Sequence, residues 1–215
     1  MWKTAISVHS ACSSAKSAQS RKWVNNMNKS IILVGVGGQG TITTSTILSK
    51  GLIEAGYDVK MSEIHGMSQR GGTVVTQIKY GEKVYSPIIG DGEADIIVSF
   101  EKLEALRALP YLKEGGTIVT DDREINPMPV LTGAATYPHE AIEQLKAVVP
   151  NVIVVEAAKV AEELGNMKAQ NIVLLGALVK QLGLDEVDWR NLVAKNVPAK
   201  TVDLNLAAFE KGYNM

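Results

Sequence analysis

The residues with the plainest chemical promise lie in two glycine-rich stretches. The first, Gly35-Val36-Gly37-Gly38-Gln39-Gly40, has G-x-G-x-x-G spacing and sits between an apolar β-branched run and a helical pattern. Glycines at such a turn let backbone amides approach a phosphate, and the helix that follows presents unpaired N–H groups and about half a positive charge. An anion is the natural guest. The dipole contributes only ~0.3–1 kcal/mol at a surface and ~2 when partly buried, whereas micromolar binding requires about 8, so the loop needs donors from elsewhere. Two other readings of the motif stay open. The glycines could serve tight strand-to-helix packing alone, or the loop could bind a nicotinamide dinucleotide, with Glu63 at the end of the second strand gripping the ribose.

The second stretch, His65-Gly66-Met67-Ser68-Gln69-Arg70-Gly71-Gly72, follows the second predicted strand, at the edge where open α/β sheets place ligands. Ser68 and Gln69 supply neutral donors. Arg70 supplies a cationic fork able to make bidentate bonds to a phosphate or carboxylate, each worth about 1.5–3 kcal/mol. Arg70 could equally pair with a partner's acid or with Glu63. His65 is of the residue type suited to acid–base work near neutral pH, but no nucleophile accompanies it, and no catalytic residue is assigned.

These stretches need a scaffold, and the hydrophobic periodicity describes one. Ile31 to Val36 reads as a strand, Gly40 to Ala55 as a helix and Asp58 to Ile64 as a second strand, a βαβ unit. Thr73 to Tyr80, followed by Gly81-Glu82 and Lys83 to Tyr85, suggests a hairpin inserted beside the sheet. Ala94 to Phe100, Gly116 to Thr120 and Val152 to Val155 add short buried strands, with helices over Leu103 to Leu109 and His139 to Val148. Helices dominate the last third: Ala157 to Gly165, Ala169 to Leu182, Trp189 to Lys195 and Thr201 to Lys211. Together these predict an α/β fold: a three-layer, doubly wound, mostly parallel sheet with a β-hairpin insertion and a helical C-terminal section. Gly176 and Ala177 permit close helix approach, either within the chain or to another subunit.

Composition narrows the function classes. With 215 residues, 46% hydrophobic and 21% charged, and a formal net charge of -1, the chain is too apolar for disorder and lacks a nucleic-acid binder's basic excess. No apolar run approaches the ~20 residues a bilayer requires, so no membrane partner is expected and a cytoplasmic location is. The single cysteine, Cys12, cannot alone hold a cysteine-ligated zinc or iron–sulfur cluster, and no metal site is expected. Gly90-Asp91-Gly92 reads as a turn rather than a thiamine site, because the next asparagine is the lone Asn126. Residues 1–26 hold six serines and four basic residues but no acid, and read as a disordered N-terminal extension, either a start-site artefact or a targeting segment. The domain proper is expected over 27–215, where 18 basic residues face 23 acidic ones.

Over Met27 to Met215 the sequence resembles the gamma-type domain of the 2-oxoacid:ferredoxin oxidoreductases, and within it the beta subunits of the indolepyruvate enzymes. The resemblance rests on Gly35-x-Gly37-Gly38-Gln39-Gly40, on Ser68-Gln69-Arg70-Gly71-Gly72 and on Ser86-Pro87-Ile88 ahead of Ala94-Asp95. It continues through Gly165 and Asn166, then Asn171 with Leu175-Gly176-Ala177. It implies a non-cofactor subunit, inactive alone, of a complex that oxidatively decarboxylates an arylpyruvate, transfers the acyl group to coenzyme A and reduces ferredoxin. Thiamine diphosphate and the iron–sulfur clusters would lie on the alpha subunit, with coenzyme A as co-substrate. Related gamma subunits serve pyruvate, 2-ketoisovalerate and 2-oxoglutarate, and a stand-alone dinucleotide-binding oxidoreductase is the competing class. The expected ligand or subunit-interface loops are Gly35, Gly37, Gly38, Gln39 and Gly40 with Ser68, Gln69, Arg70, Gly71 and Gly72.

Overall fold

The first strand, β1 (Lys29–Val36), is buried at every position but its first. A run without a solvent face belongs at the centre of a sheet covered on both sides. Side-chain alternation divides it: Ile31 and Leu33 enter one apolar core, Ile32 and Val34 another. The computed structural model describes residues 28–65 and 72–215. The expected extension, 1–26, and most of the second glycine stretch, 66–71, lie outside the described residues.

After β1 come α1 (Thr41–Glu54), β2 (Asp58–His65), β3 (Thr73–Gly81), β4 (Ala94–Ser99), α2 (Lys102–Ala108) and β5 (Leu112–Asp121). Then follow α3 (Met128–Leu131), α4 (Ala141–Val148), β6 (Asn151–Val155), α5 (Ala157–Glu163), α6 (Gln170–Leu182), α7 (Trp189–Asn196) and α8 (Val202–Tyr213). The six strands form one sheet in the order β2-β3-β1-β4-β5-β6. β1, β4, β5 and β6 run parallel, whereas β3 is antiparallel to both its neighbours. One core joins the sheet to α1, α5, α6, α7 and α8; the other joins it to α2 and α4. The three-layer, doubly wound, mostly parallel sheet with a helical C-terminal section is the fold the periodicity predicts; three of its five strand pairings are parallel and the two made by β3 antiparallel.

The antiparallel insertion differs in its partners. Residues 83–85 form no return strand; β3 instead enters the sheet between β2 and β1. Side chains bind the segment after β3 in its place: Asp58 Oδ2 accepts from Val84 N at 2.9 Å, and Gln77 Oε1 accepts from Ile89 N at 3.1 Å. Pro87 within this segment has no N–H for a ladder. β1 and β2 therefore remain parallel but are not adjacent.

Gly176 of α6 and Gly212 of α8 make the helices cross at backbone contact. A Cβ on Gly176 would fall 2.2 Å from Phe209 O, and one on Gly212 1.9 Å from Val173 O. The small-residue face of Gly176 and Ala177 is accordingly occupied within the chain. No helix among the described residues is long and apolar enough to cross a membrane.

Candidate functional site

At the carboxyl end of β1 the chain turns through Gly37–Gly40 into α1. Gly38 (φ 98°) and Gly40 (φ 83°) adopt left-handed conformations that side-chain-bearing residues rarely take. Gly40 is the N-cap and has no side chain to offer, and the first turn of α1 contains no acid. The opening N–H groups of this 14-residue helix therefore have no side-chain cap.

Gln39 folds back across the sheet. Its Oε1 accepts from Val36 N and its Nε2 donates to Phe100 O, both at 2.7 Å, linking the end of β1 to the residue after β4. A Cβ at Gly35 would lie 2.9 Å from Gln39 Oε1 and 3.0 Å from Phe100 Cβ, which is why this first glycine is needed. β1 and β4 flank the switch point of the sheet, where doubly wound folds commonly admit a dinucleotide. Here the Gln39 carboxamide holds that position. The ribose role considered for Glu63 also meets an obstacle: β3 stands between its strand and β1, and Glu63 Oε1 accepts from Ser45 Oγ of α1 at 3.2 Å.

The two glycine stretches converge. Gly72 O accepts from Gly37 N at 2.9 Å, and Val36 lies opposite Thr73 in the ladder. Ser68, Gln69, Arg70 and Gly71 lie outside the described residues; Gly35, Gly37, Gly38, Gln39, Gly40 and Gly72 share one edge of the sheet. His65 is exposed at the end of β2.

Beside the first loop opens a cleft of about 540 Å³, lined by Gly37–Gly40 and Thr43 on one side and by Arg123, Ile125, Met167, Lys168, Gln170 and Asn171 on the other. Arg123 and Lys168, its cationic side chains, escaped the motif reading because they stand alone in sequence. Arg123 follows Asp121 at the carboxyl edge of β5, which was a usable signal; Lys168 lies between the predicted helices Ala157 to Gly165 and Ala169 to Leu182. Asn171 ties this far wall to the loop: its Nδ2 donates to Gly40 O at 3.3 Å, and its own carbonyl accepts from Thr44 Oγ1 at 3.3 Å.

Behind the cleft runs a buried polar chain. Gln170 Nε2 donates to Asp121 Oδ2 at 2.7 Å and to Phe100 O at 3.0 Å, while Gln170 Oε1 accepts from Arg123 Nη1. Asp121 also accepts from Ala157 N (3.1 Å) and Ala158 N (3.0 Å), the opening amides of α5. Burial raises its pKa to about 6, outweighing those bonds and Arg123, which lower it. The adjoining rim is equally tied: buried Glu101 accepts from Glu104 N, Ile125 N and the Tyr137 hydroxyl. Lys102 Nζ lies 2.6 Å from Glu124 and 3.7 Å from Asp122. Loss of solvent opposes the charge on Lys102, but these two carboxylates prevail and its pKa is raised.

Among the described residues no group of three or more His, Cys, Asp or Glu could hold a metal ion. Gly90-Asp91-Gly92 forms a turn, with Glu93 N donating to Gly90 O at 3.2 Å, just before β4 and thus at the opposite edge of the sheet.

This geometry is that of a doubly wound domain with a donor-rich cleft beside a filled switch point. Residues 30–215 match the family described as pyruvate ferredoxin/flavodoxin oxidoreductase, and the chain belongs to it. It is 42% identical over 189 residues to the indolepyruvate oxidoreductase subunit IorB of Thermococcus kodakarensis, covering 85% of this chain and 93% of that one. Its fold is similar to that of the pyruvate oxidoreductase subunit PORC of Thermotoga maritima (TM-score 0.64, 20% identity, 87% of this chain and 96% of that one). It is also similar to part of the 2-oxoglutarate:ferredoxin oxidoreductase of Magnetococcus marinus (TM-score 0.64, 19% identity), a structure with 2-oxoglutarate, coenzyme A and succinyl-CoA bound; 87% of this chain covers 30% of that one.

Proposed function

We propose that the chain is the beta subunit of a cytoplasmic indolepyruvate:ferredoxin oxidoreductase, inactive alone, and that its glycine-loop cleft receives the diphosphate of coenzyme A beside the alpha subunit. The identity of 42% over 85% of the chain to an indolepyruvate oxidoreductase subunit supports the assignment to the arylpyruvate branch. The observation that carries the site is the convergence of the uncapped start of α1 with Arg123 and Lys168 on one cleft. A helix terminus alone falls several kcal/mol short of micromolar binding, and charge-assisted bonds at about 1.5–3 kcal/mol each supply the missing part. In this reading thiamine diphosphate and the iron–sulfur clusters belong to the alpha subunit and supply decarboxylation and electron transfer to ferredoxin. This chain's residues bind and orient the acyl acceptor.

A second reading makes the same edge a subunit seat. Ile42, in the first turn of α1, is 53% exposed and Met167 on the cleft wall 40%, apolar surface suited to cover by the alpha subunit. Co-purification with the alpha subunit, followed by viologen reduction on indolepyruvate, phenylpyruvate and pyruvate with coenzyme A, tests the proposal. Turnover is expected only in the complex and fastest on the aryl substrates. Activity of this chain unaccompanied, or preference for pyruvate, would overturn it. Lys168→Ala should raise the KM for coenzyme A if the cleft holds it, and weaken assembly instead if the edge is only a seat.

A further inference from the structure

Arg123 is held by a hydrogen-bonded chain whose direction is fixed from the interior. Gln170 is 2% exposed and Asp121 1%. Both N–H bonds of the Gln170 carboxamide end on groups that only accept, the Asp121 carboxylate and the Phe100 carbonyl. Its oxygen must then face Arg123. Of the two groups that set the orientation of that amide, the Asp121 carboxyl is the one that can take up a proton, while the Phe100 carbonyl accepts at any pH.

Three donors meet the two oxygens of Asp121: Ala157 N, Ala158 N and Gln170 Nε2. A proton added to the carboxyl brings a fourth. The two backbone donors are fixed at the start of α5, whereas an amide side chain can rotate by half a turn. Rotated, Gln170 accepts the carboxylic proton through its oxygen, gives up its bond to the Phe100 carbonyl and turns its NH2 toward the guanidinium, a donor facing a donor. We propose that Asp121 and Gln170 are positioning residues: the ionised carboxylate orients the Gln170 amide to hold Arg123 at the cleft, and protonation reverses the amide and releases the guanidinium. The inference rests on the reading of the cleft as the coenzyme A site and adds to it a proton-dependent hold on one ligand-facing cation.

Among the charged neighbours, Arg123 meets the amide oxygen and Asp121 is the carboxylate that meets its NH2. Arg123 lies two residues along its own segment. On α5, Lys159 pairs with Glu156 at 3.0 Å, and both are exposed. Glu101, after β4, is engaged with Glu104 N, Ile125 N and Tyr137. Lys168, before α6, is exposed and lines the cleft. With Asp121 titrating near pH 6, the hold is present at neutral pH and lost as pH falls through that value.

The test is steady-state kinetics of the assembled complex with coenzyme A varied between pH 5 and 8, on wild type, Asp121→Asn, Gln170→Met and Lys168→Ala. Asp121→Asn cannot ionise and offers one acceptor oxygen where the carboxylate offers two to three donors. It should raise the KM for coenzyme A about tenfold at pH 7.5, the loss of about one charged contact, with kcat little changed. The wild-type KM should climb below pH 6 relative to that of this variant, a difference that cancels titration of coenzyme A itself. Gln170→Met keeps the side-chain volume but cuts the chain, and should give the same raised, pH-insensitive difference if Asp121→Asn does not assemble. A raised KM in Lys168→Ala with wild-type profiles in both other variants would overturn the switch and leave the cleft reading intact. Unchanged KM in all three would overturn both.

Discussion

Glycine does opposite work in two places in this fold. At the α6–α8 crossing the missing side chains are replaced by another helix's backbone, so that Gly176 and Gly212 each meet main-chain atoms within 2.2 Å of where a Cβ would lie. In the loop before α1, a Cβ at Gly38 would meet nothing within 4 Å; that glycine is there for its positive φ and leaves open space. The same residue type thus closes one contact completely and keeps another surface accessible. Gly40 falls between the two, because a Cβ there would come 2.6 Å from Asn171 Nδ2 while its φ is also positive.

Substitution sharpens the contrast. Gly212→Ala should have the largest effect, about 3 kcal/mol of lost stability in denaturant unfolding, since backbone must move to admit the methyl; a loss below that of Gly38→Ala would break the comparison. The two places also differ in charge, for a carboxylate is buried behind the loop. Because the folded chain raises the pKa of Asp121 from 3.8 to about 6, it binds that proton more tightly than the unfolded chain does. The stability contribution of Asp121 should therefore fall as pH rises between those values and stay flat above, by at most on the order of 3 kcal/mol. Asp121→Asn should remove that part of the pH slope in thermal unfolding. Gly40→Ala should cost about 1–3 kcal/mol, from strain in the left-handed conformation plus displacement of Asn171. Gly38→Ala should cost only about 1–2 kcal/mol, all of it conformational. It should also raise the KM for coenzyme A in the complex if the cleft holds it, since the methyl would project from the loop that lines that cleft.

Much of the scaffold could be read from local pattern. The unbroken apolar run of Ile31–Val36 and the helical spacing of Ile47, Leu48 and Leu52 fix an element and its buried side without knowledge of what packs there. The insertion of β3 between β2 and β1 was not legible in that way, because strand order is decided by pairing between distant segments. The site divides along the same line. Gly35, Gly37, Gly38, Gln39, Gly40 and Gly72 announced themselves as local motifs, and the structure draws them to one edge. The meaning of Gln39 did not show, for its partners are Val36 and the remote Phe100. Arg123, Lys168 and the relay through Gln170 were hidden for the same reason. No short window of sequence contains two walls of a cleft.

The bracket that Gln39 forms between β1 and Phe100 decides how a guest can approach. With the central seam of the sheet stitched shut by a single carboxamide, a bound molecule can rest on the mouth of the fold but cannot thread between its strands. The guest's flanks are then the glycine loop and the wall that carries Arg123 and Lys168, and its outer side is the one this fold leaves uncovered.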